Sequence, residues 1–353
     1  MDNKIIGLHN HVVEQGSKQN FLNECLEQNA NIISITDHRT LISYYNLFSG
    51  LTAAEREKYS HLRFVIGMEL TGMLDYKTVT GRNSSIPVDL LAYNIDVDSY
   101  EKLYQFIQEA YSKVSYMDSS EYQKKELEQL KEIAKRLGYK ADYENMQIDD
   151  EHKFSSSTLS YGLIDPKYVD YNLKNGLMPE LVTNPRGFKN RELKNPESEF
   201  YIDLSKFYPN VDAIINKIHE TNGFVFMPHA AAYFAKAGNA ESIKRAWDNS
   251  HKLAQDFVSQ YNLDGIEIVH PSFMDNKEYY DYLVNIAKKN DLRVSGGTDY
   301  HKPGEPITKN YMGEYITDKT LYNLNEWAHL YTIDEIIELG SKINQIETNT
   351  KQK

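Results

Sequence analysis

The chain has 353 residues, 41% of them hydrophobic, enough for a sizeable core in one large domain or two smaller ones. Its 39 Lys and Arg against 51 Asp and Glu give a formal net charge of −12, which argues against an extended nucleic-acid surface, because wrapping nucleic acid needs cations to displace counterions. The single cysteine, Cys25, excludes an intramolecular disulfide framework, and no apolar stretch approaches the roughly 20 residues that span a bilayer, so the chain reads as cytoplasmic with no membrane partner.

Apolar, β-prone runs follow one another at about residues 4–8, 31–36, 63–68, 88–95, 223–227, 264–269 and 292–296. Helical patterns follow several of them: Phe21 to Gln28, Asp212 to Thr221, Ile243 to Tyr261 and Glu278 to Lys289. The alternation predicts seven parallel strands. Six of the run ends carry side chains able to grip cations: His9-Asn10-His11, Asp37-His38, Glu69, His229, Glu267 with His270, and Asp299-Tyr300-His301. Parallel β/α barrels place their chemistry at strand C-termini, so the series predicts a barrel with a polynuclear metal site at one mouth.

Residues 97–205, between the fourth and fifth runs, are too many for a simple loop. Leu127, Leu130, Ile133, Ala134 and Leu137 fall at helical spacing before a stop at Gly138, and a second helical pair is expected from Tyr161 to Gly176. The span is therefore expected to be a helical insertion domain over the barrel mouth, interrupting a barrel of residues 1–96 and 206–310. A C-terminal extension, 311–353, follows, and its end from Glu347 onward reads as a frayed polar tail.

Two histidines separated by one residue at a strand end point the same way, so His9 and His11 can hold one ion from two sides. Asp299 and His301 share that period. Glu69 closes its run in Gly67-Met68-Glu69-Leu70, where an unpartnered carboxylate is costly to bury, and its two oxygens can bridge two cations. Little basic sequence adjoins it to make a salt bridge instead. Cys25 reads as a buried apolar residue, since no basic neighbour activates it. His152 of the insertion is a candidate to reach substrate, whereas His61, His219, His251 and His329 read as surface or packing residues.

The pieces Leu8-His9-Asn10-His11, Ile35-Thr36-Asp37-His38, Gly67-Met68-Glu69, Met227-Pro228-His229, Gly265-Ile266-Glu267-Ile268 and Gly296-Gly297-Thr298-Asp299-Tyr300-His301 occur in this order. Together they resemble the motifs of the polymerase and histidinol phosphatase (PHP) family of metal-dependent phosphoesterases. The resemblance implies an α/β fold, a distorted seven-stranded TIM-like (β/α)7 barrel with a helical insertion. More loosely, residues 125–138, 150–162 and 200–223 resemble the insertion of a branch that acts on nucleotide 3′,5′-bisphosphates and on the 5′ ends of short RNAs.

By position, the resemblance implies a first ion on His9, His11, Glu69 and Asp299, a second shared by Glu69 and held by His229, and a third on His38 and His301. Two or three divalent ions, of manganese, zinc or iron, are thus expected. The sequence departs from the pattern at Glu14, which arrives two residues early, and at Asp89, which stands where a His is common and favours a harder ion such as manganese. Glu267 and His270 are expected to orient ligands or contact substrate, and Arg39 and Lys302, each beside a metal ligand, to clamp phosphate. The implied function is hydrolysis of a small phosphorylated substrate: a nucleotide bisphosphate, a short oligonucleotide or a phosphomonoester. Hydroxide bridging two ions on Glu69 would attack, Asp299 would hold the first ion, and a protonated His301 or a metal-bound water would protonate the leaving alkoxide. Two alternatives stay open: a metal-dependent hydrolase of a carbon-centred bond, and a non-catalytic, metal-stabilised binding protein whose insertion is the partner surface.

Overall fold

A computed structural model describes residues 3–12, 18–81, 83–148, 153–178, 184–193, 195, 198–201, 203–234, 240–273, 275–309 and 313–350. Strand β1 (Ile6–Gly7) pairs in parallel with β2 (Ile32–Ile35), and β2 in parallel with β3 (Arg63–Lys77). Strand β4 (Asn83–Tyr93) returns antiparallel to β3 and pairs antiparallel with β5 (Phe224–Met227). Parallel pairing resumes from β5 to β6 (Gly265–Val269) and from β6 to β7 (Arg293–Gly296). Sheet order is chain order, and the edges meet: Leu8 N–H donates to Gly296 O at 3.1 Å and His11 N–H to Tyr300 O at 2.8 Å. The result is a seven-stranded barrel.

Strands β2 and β6 are buried at every position, which is why they read as continuous apolar runs rather than as alternation. The helix Lys277–Lys289 shows how the outer layer forms. The Asn276 side chain accepts the Tyr279 N–H at its start, Tyr279, Leu283, Ile286 and Ala287 bury one stripe, and Lys288 and Lys289 sit favourably in the last turn.

The fourth strand corrects the expectation of seven parallel strands. β3 runs 15 residues before the chain turns back, so that Glu69 faces Leu91 and Thr71 faces Asp89. Periodicity is the same in either direction, so the apolar run could not reveal the reversal. The consequence is chemical. In a parallel strand Asp89 would lie near the start, away from the mouth; reversal brings its carboxylate to Glu69 and His229.

Past β4, the helix Tyr100–Ala110 packs Leu103, Tyr104 and Ile107 into the barrel core. A second core lies beyond it, where Leu127, Leu130 and Ala134 of the helix Ser120–Arg136 meet Leu159 and Leu163 of Ser155–Leu163, with Phe188 and Phe200. The last helix, Ile333–Thr350, packs on Ile42–Phe48 and Tyr100–Ala110. Glu347 is in this helix, not in a frayed tail. It is 2% exposed and accepts hydrogen bonds from Thr40 Oγ1 at 2.8 Å, Leu41 N–H at 3.1 Å and Tyr100 Oη at 2.8 Å. Those donors are distant in sequence, so composition around Glu347 gave no sign of them. No helix among the described residues is long and apolar enough to cross a membrane.

Candidate metal centre

The backbone at the strand ends sets the imidazoles. Between His9 and His11, Asn10 turns to the other side and donates from Nδ2 to Gly7 O at 2.9 Å and Ser34 O at 2.8 Å, tying the ends of β1 and β2 together. A Cβ at Gly297 would lie 2.4 Å from His9 Cβ and 2.5 Å from His9 N, so the close approach of the β7 end to His9 requires glycine. Asp299 and Arg39 both hold left-handed backbone, at φ 55° and 63°, conformations that concentrate at functional sites.

Glu69 lies at the centre. Its Oε1 is 3.5 Å from His9 Nε2 and 3.3 Å from His229 Nε2, and its Oε2 is 3.3 Å from His11 Nε2 and 3.2 Å from His38 Nδ1. Asp299 Oδ1 is 3.4 Å from His9 Nε2 and 3.2 Å from His11 Nε2. Donor atoms sharing a tetrahedral ion through bonds of about 2.0–2.2 Å are separated by about 3.3–3.6 Å. Charged hydrogen bonds between the same atoms would close to about 2.7–2.9 Å. The spacing fits a cation better than a hydrogen-bonded network, and His9 Nε2, fully buried, makes no hydrogen bond.

Ligand atoms within 4.8 Å of one another fall into four overlapping groups: His9, His11 and Asp299; Glu69, Asp89 and His229; His11, His38 and His301; and His9, His229 and His270. The His11 ring is stacked between His38 and His301, with centroids 4.5 and 4.4 Å away. The structure thus gathers His9, His11, His38, Glu69, Asp89, His229, Asp299 and His301 at one mouth. Glu14 and His152 lie outside the described residues.

Charge is concentrated here. Burial lowers the pKa of His9, His11 and His229, but the carboxylates outweigh it: His11 and His229 are raised to about 9, and His9 well above the usual imidazole range by Glu267, Glu69 and Asp299. Burial would raise Glu69 and Asp299, yet the histidines, His9 foremost, hold both well below the ordinary carboxylate range. Asp89 differs. Burial, then the charge of Glu69, pushes it up, while Thr71 Oγ1 donates to its Oδ1 at 2.7 Å and Tyr233 Oη to its Oδ2 at 3.3 Å.

Hydrogen bonds behind the rings set the tautomers. Glu267 Oε1 accepts from His9 Nδ1 at 3.1 Å and Oε2 from His229 N–H at 2.9 Å, leaving the His9 Nε2 lone pair toward Glu69 and Asp299. Glu267 is 1% exposed, and both of its oxygens are engaged from behind, by the His9 ring and the His229 backbone. His301 Nδ1 donates to Asp299 O at 2.7 Å, which likewise leaves Nε2 without a proton when the ring is neutral. His270 has the opposite arrangement. Ser272 N–H donates to its Nδ1 at 3.1 Å, so the proton sits on Nε2, which is buried, makes no hydrogen bond and lies 3.7 Å from Asp299 Oδ2. Burial lowers the His270 pKa and keeps it neutral, an N–H donor aimed into the mouth rather than a ligand.

Arg39 is half-buried beside the cluster, with its guanidinium over the Tyr111 ring, 5.5 Å from the centroid. Lys302 is not in the cluster. Glu305 Oε2 accepts the His301 and Lys302 N–H groups, at 2.8 and 3.1 Å, in a tight turn that leaves the Lys302 ammonium exposed, 3.7 Å from Glu305 Oε1. Adjacency to a ligand was a poor guide because that turn points the side chain outward. Residues not anticipated from sequence are Thr71 and Tyr233, which hold Asp89. Thr71 stands two residues beyond Glu69 on the same strand face, a spacing that could have revealed it.

From Asp89, His229 and Asp299 a cavity of about 870 Å³ extends between the barrel mouth and the inserted residues, reaching Met117, Leu130 and Phe200.

No family model and no curated protein matches the chain. Solved structures do resemble it, among them these three. A candidate metal-dependent phosphoesterase from Bifidobacterium adolescentis is 18% identical, covering 92% of this chain and 97% of its own, with a TM-score of 0.49. An amidohydrolase from Chromobacterium violaceum, with bound sulfate and no metal, is 15% identical over 96% of each chain, with a TM-score of 0.49. A two-domain protein from Bacteroides vulgatus containing a predicted PHP-like metal-dependent phosphoesterase is 10% identical, covering 96% of this chain and 63% of its own, with a TM-score of 0.34.

Proposed function

We propose that the chain is a metal-dependent hydrolase of phosphate esters acting on a small phosphorylated substrate. The observation that carries this reading is Glu69, whose two oxygens stand 3.2–3.5 Å from four imidazoles and whose hydrogen bond with His229 Nε2 is long at 3.3 Å. One ion would be held by His9, His11, Asp299 and Glu69, a second by Glu69, Asp89 and His229, and a third would draw on His38 and His301. The oxygen-rich second group favours a hard ion such as manganese. Bound there, divalent ions supply positive charge to phosphoryl oxygens and make water more acidic.

The chain's own groups supply the rest. Glu267 keeps the His9 and His229 ligands aimed, through hydrogen bonds at 3.1 and 2.9 Å. His270 offers its fixed Nε2–H to a phosphoryl oxygen, and Arg39 a guanidinium that matches phosphate geometry. Where no third ion takes its Nε2, His301, with Nδ1 committed to Asp299 O, can pass a proton from Nε2 to the leaving alkoxide. Cys25 takes no part: it is buried, and burial pushes its thiol up.

The test is a panel of phosphomonoesters alongside carboxylic esters, amides and lactones, each with added manganese, zinc or iron(II). Release of inorganic phosphate is expected. Turnover of the carbon-centred substrates alone would replace this reading by its rival, and no metal-dependent turnover of any of them would favour a binding protein.

A further inference from the structure

We propose that the substrate is a phosphomonoester whose alcohol part is an uncharged aromatic body, and that the chamber beyond the ligand cluster selects against a second anionic group. The proposal rests on the phosphoesterase reading and concerns the end of the site away from Glu69. At about 870 Å³ the cavity is far larger than a phosphoryl group and falls in the range that buries most of a ligand of some twenty to thirty heavy atoms, roughly 300–1,000 Å³. Only one end carries the ligand residues Asp89, His229 and Asp299. The alcohol must therefore fill the remainder.

That remainder is walled by rings. Tyr201, Tyr208, Tyr233 and Phe234 line it, and the hydroxyls of Tyr201 and Tyr233 are already engaged, with Ser85 O and Asp89. Apart from the Tyr208 hydroxyl, what these side chains offer a ligand is ring surface, which favours a flat apolar partner. The charges point the same way. Among the described lining residues beyond the cluster, Asp118 and Glu126 oppose a single cation, Lys189, and no arginine lines the cavity. A nucleotide bisphosphate or an oligonucleotide, two substrates implied by the sequence resemblance, would bring a further phosphate against these carboxylates, where like charges repel and water is partly excluded. In the reaction, water oxygen bonds to phosphorus while the P–O bond to the alcohol breaks, its electron pair and a proton going to the alcohol oxygen.

The test compares three esters of similar leaving group on the manganese-loaded full chain: ethyl phosphate, benzyl phosphate and 4-carboxybenzyl phosphate. Benzyl phosphate should exceed ethyl phosphate in kcat/KM by about tenfold or more, and the added carboxylate should remove most of that gain. Calorimetric binding of ethylphosphonate, benzylphosphonate and 4-carboxybenzylphosphonate should follow the same order without turnover. In Asp118→Asn, and in Asp118→Asn with Glu126→Gln, the ratio of benzyl to carboxybenzyl ester should shrink. Equal rates for ethyl and benzyl esters, or a preference for the carboxylated ester or for adenosine 3′,5′-bisphosphate over adenosine 3′-monophosphate, would overturn the proposal while leaving the phosphoesterase reading intact. Absence of phosphate release from every ester, with no phosphonate bound, would remove both.

Discussion

Glu69 is buried among four imidazoles that its negative charge stabilises, so removing that charge at constant size isolates its role. Glu69→Gln should keep the fold by circular dichroism and lose metal affinity by more than the roughly 10- to 100-fold typical of residues one shell further out. Phosphate release should fall below detection. Turnover within a few-fold of the parent, in a folded variant, would show that Glu69 bridges nothing. The histidines predict a pH signature. His11 and His229, raised from 6.5 to about 9 without metal, lend the metal-free fold stability that is fully present below pH 6.5 and is lost as pH rises through about 9. Metal needs those rings neutral, so its affinity should tighten across the same window. Thermal midpoints of chelator-stripped protein should therefore fall from pH 6.5 to 9 while the metal-induced increase in midpoint grows. A midpoint that rises over that window in the stripped protein would contradict the arrangement.

Among the elements, the last helix makes an unexpected contribution through Glu347, which closes on the Thr40–Leu41 backbone just after His38 and Arg39. Glu347→Ala would take the acceptor from the Thr40 and Tyr100 hydroxyls and leave Leu41 N–H only Tyr100 Oη, a cost of about 1–3 kcal/mol. The urea midpoint should drop accordingly and KM should rise, because the loop carrying Arg39 loses its anchor. An unchanged midpoint would mean that water or another group satisfies those donors. The same elements show where sequence was readable. The positions of all seven strands and the convergence of His9, His11, Glu69, His229 and Asp299 were legible, because a His, Asp or Glu closing a buried apolar run is costly unless a cation or a partner meets it there. The direction of β4, the outward turn at Lys302 and the burial of Glu347 were not. Each depends on partners brought together only by the fold: Thr71 opposite Asp89, Glu305 under the turn, and Tyr100 beneath the last helix.

At the scale of the whole molecule, a barrel brings the candidate ligands together and a second small core roofs a cavity next to them, while the rings of Tyr201, Tyr208, Tyr233 and Phe234 in the cavity wall pack with the barrel core. Helix Tyr100–Ala110 belongs to the barrel core, and a deletion meant to remove only the roof should begin after it. A trimmed protein that folds should still bind metal and cleave ethyl phosphate slowly, and should lose part of the preference for aromatic esters, because Tyr201 leaves with the roof while Tyr233 and Phe234 stay. Retention of that preference would move selectivity to the barrel loops. The most direct measurement of the central claim is the metal content of protein purified without chelator, by elemental analysis. Two or more divalent ions per chain are expected, falling sharply in Glu69→Gln. A content near zero that added manganese, zinc or iron(II) does not raise would contradict the account.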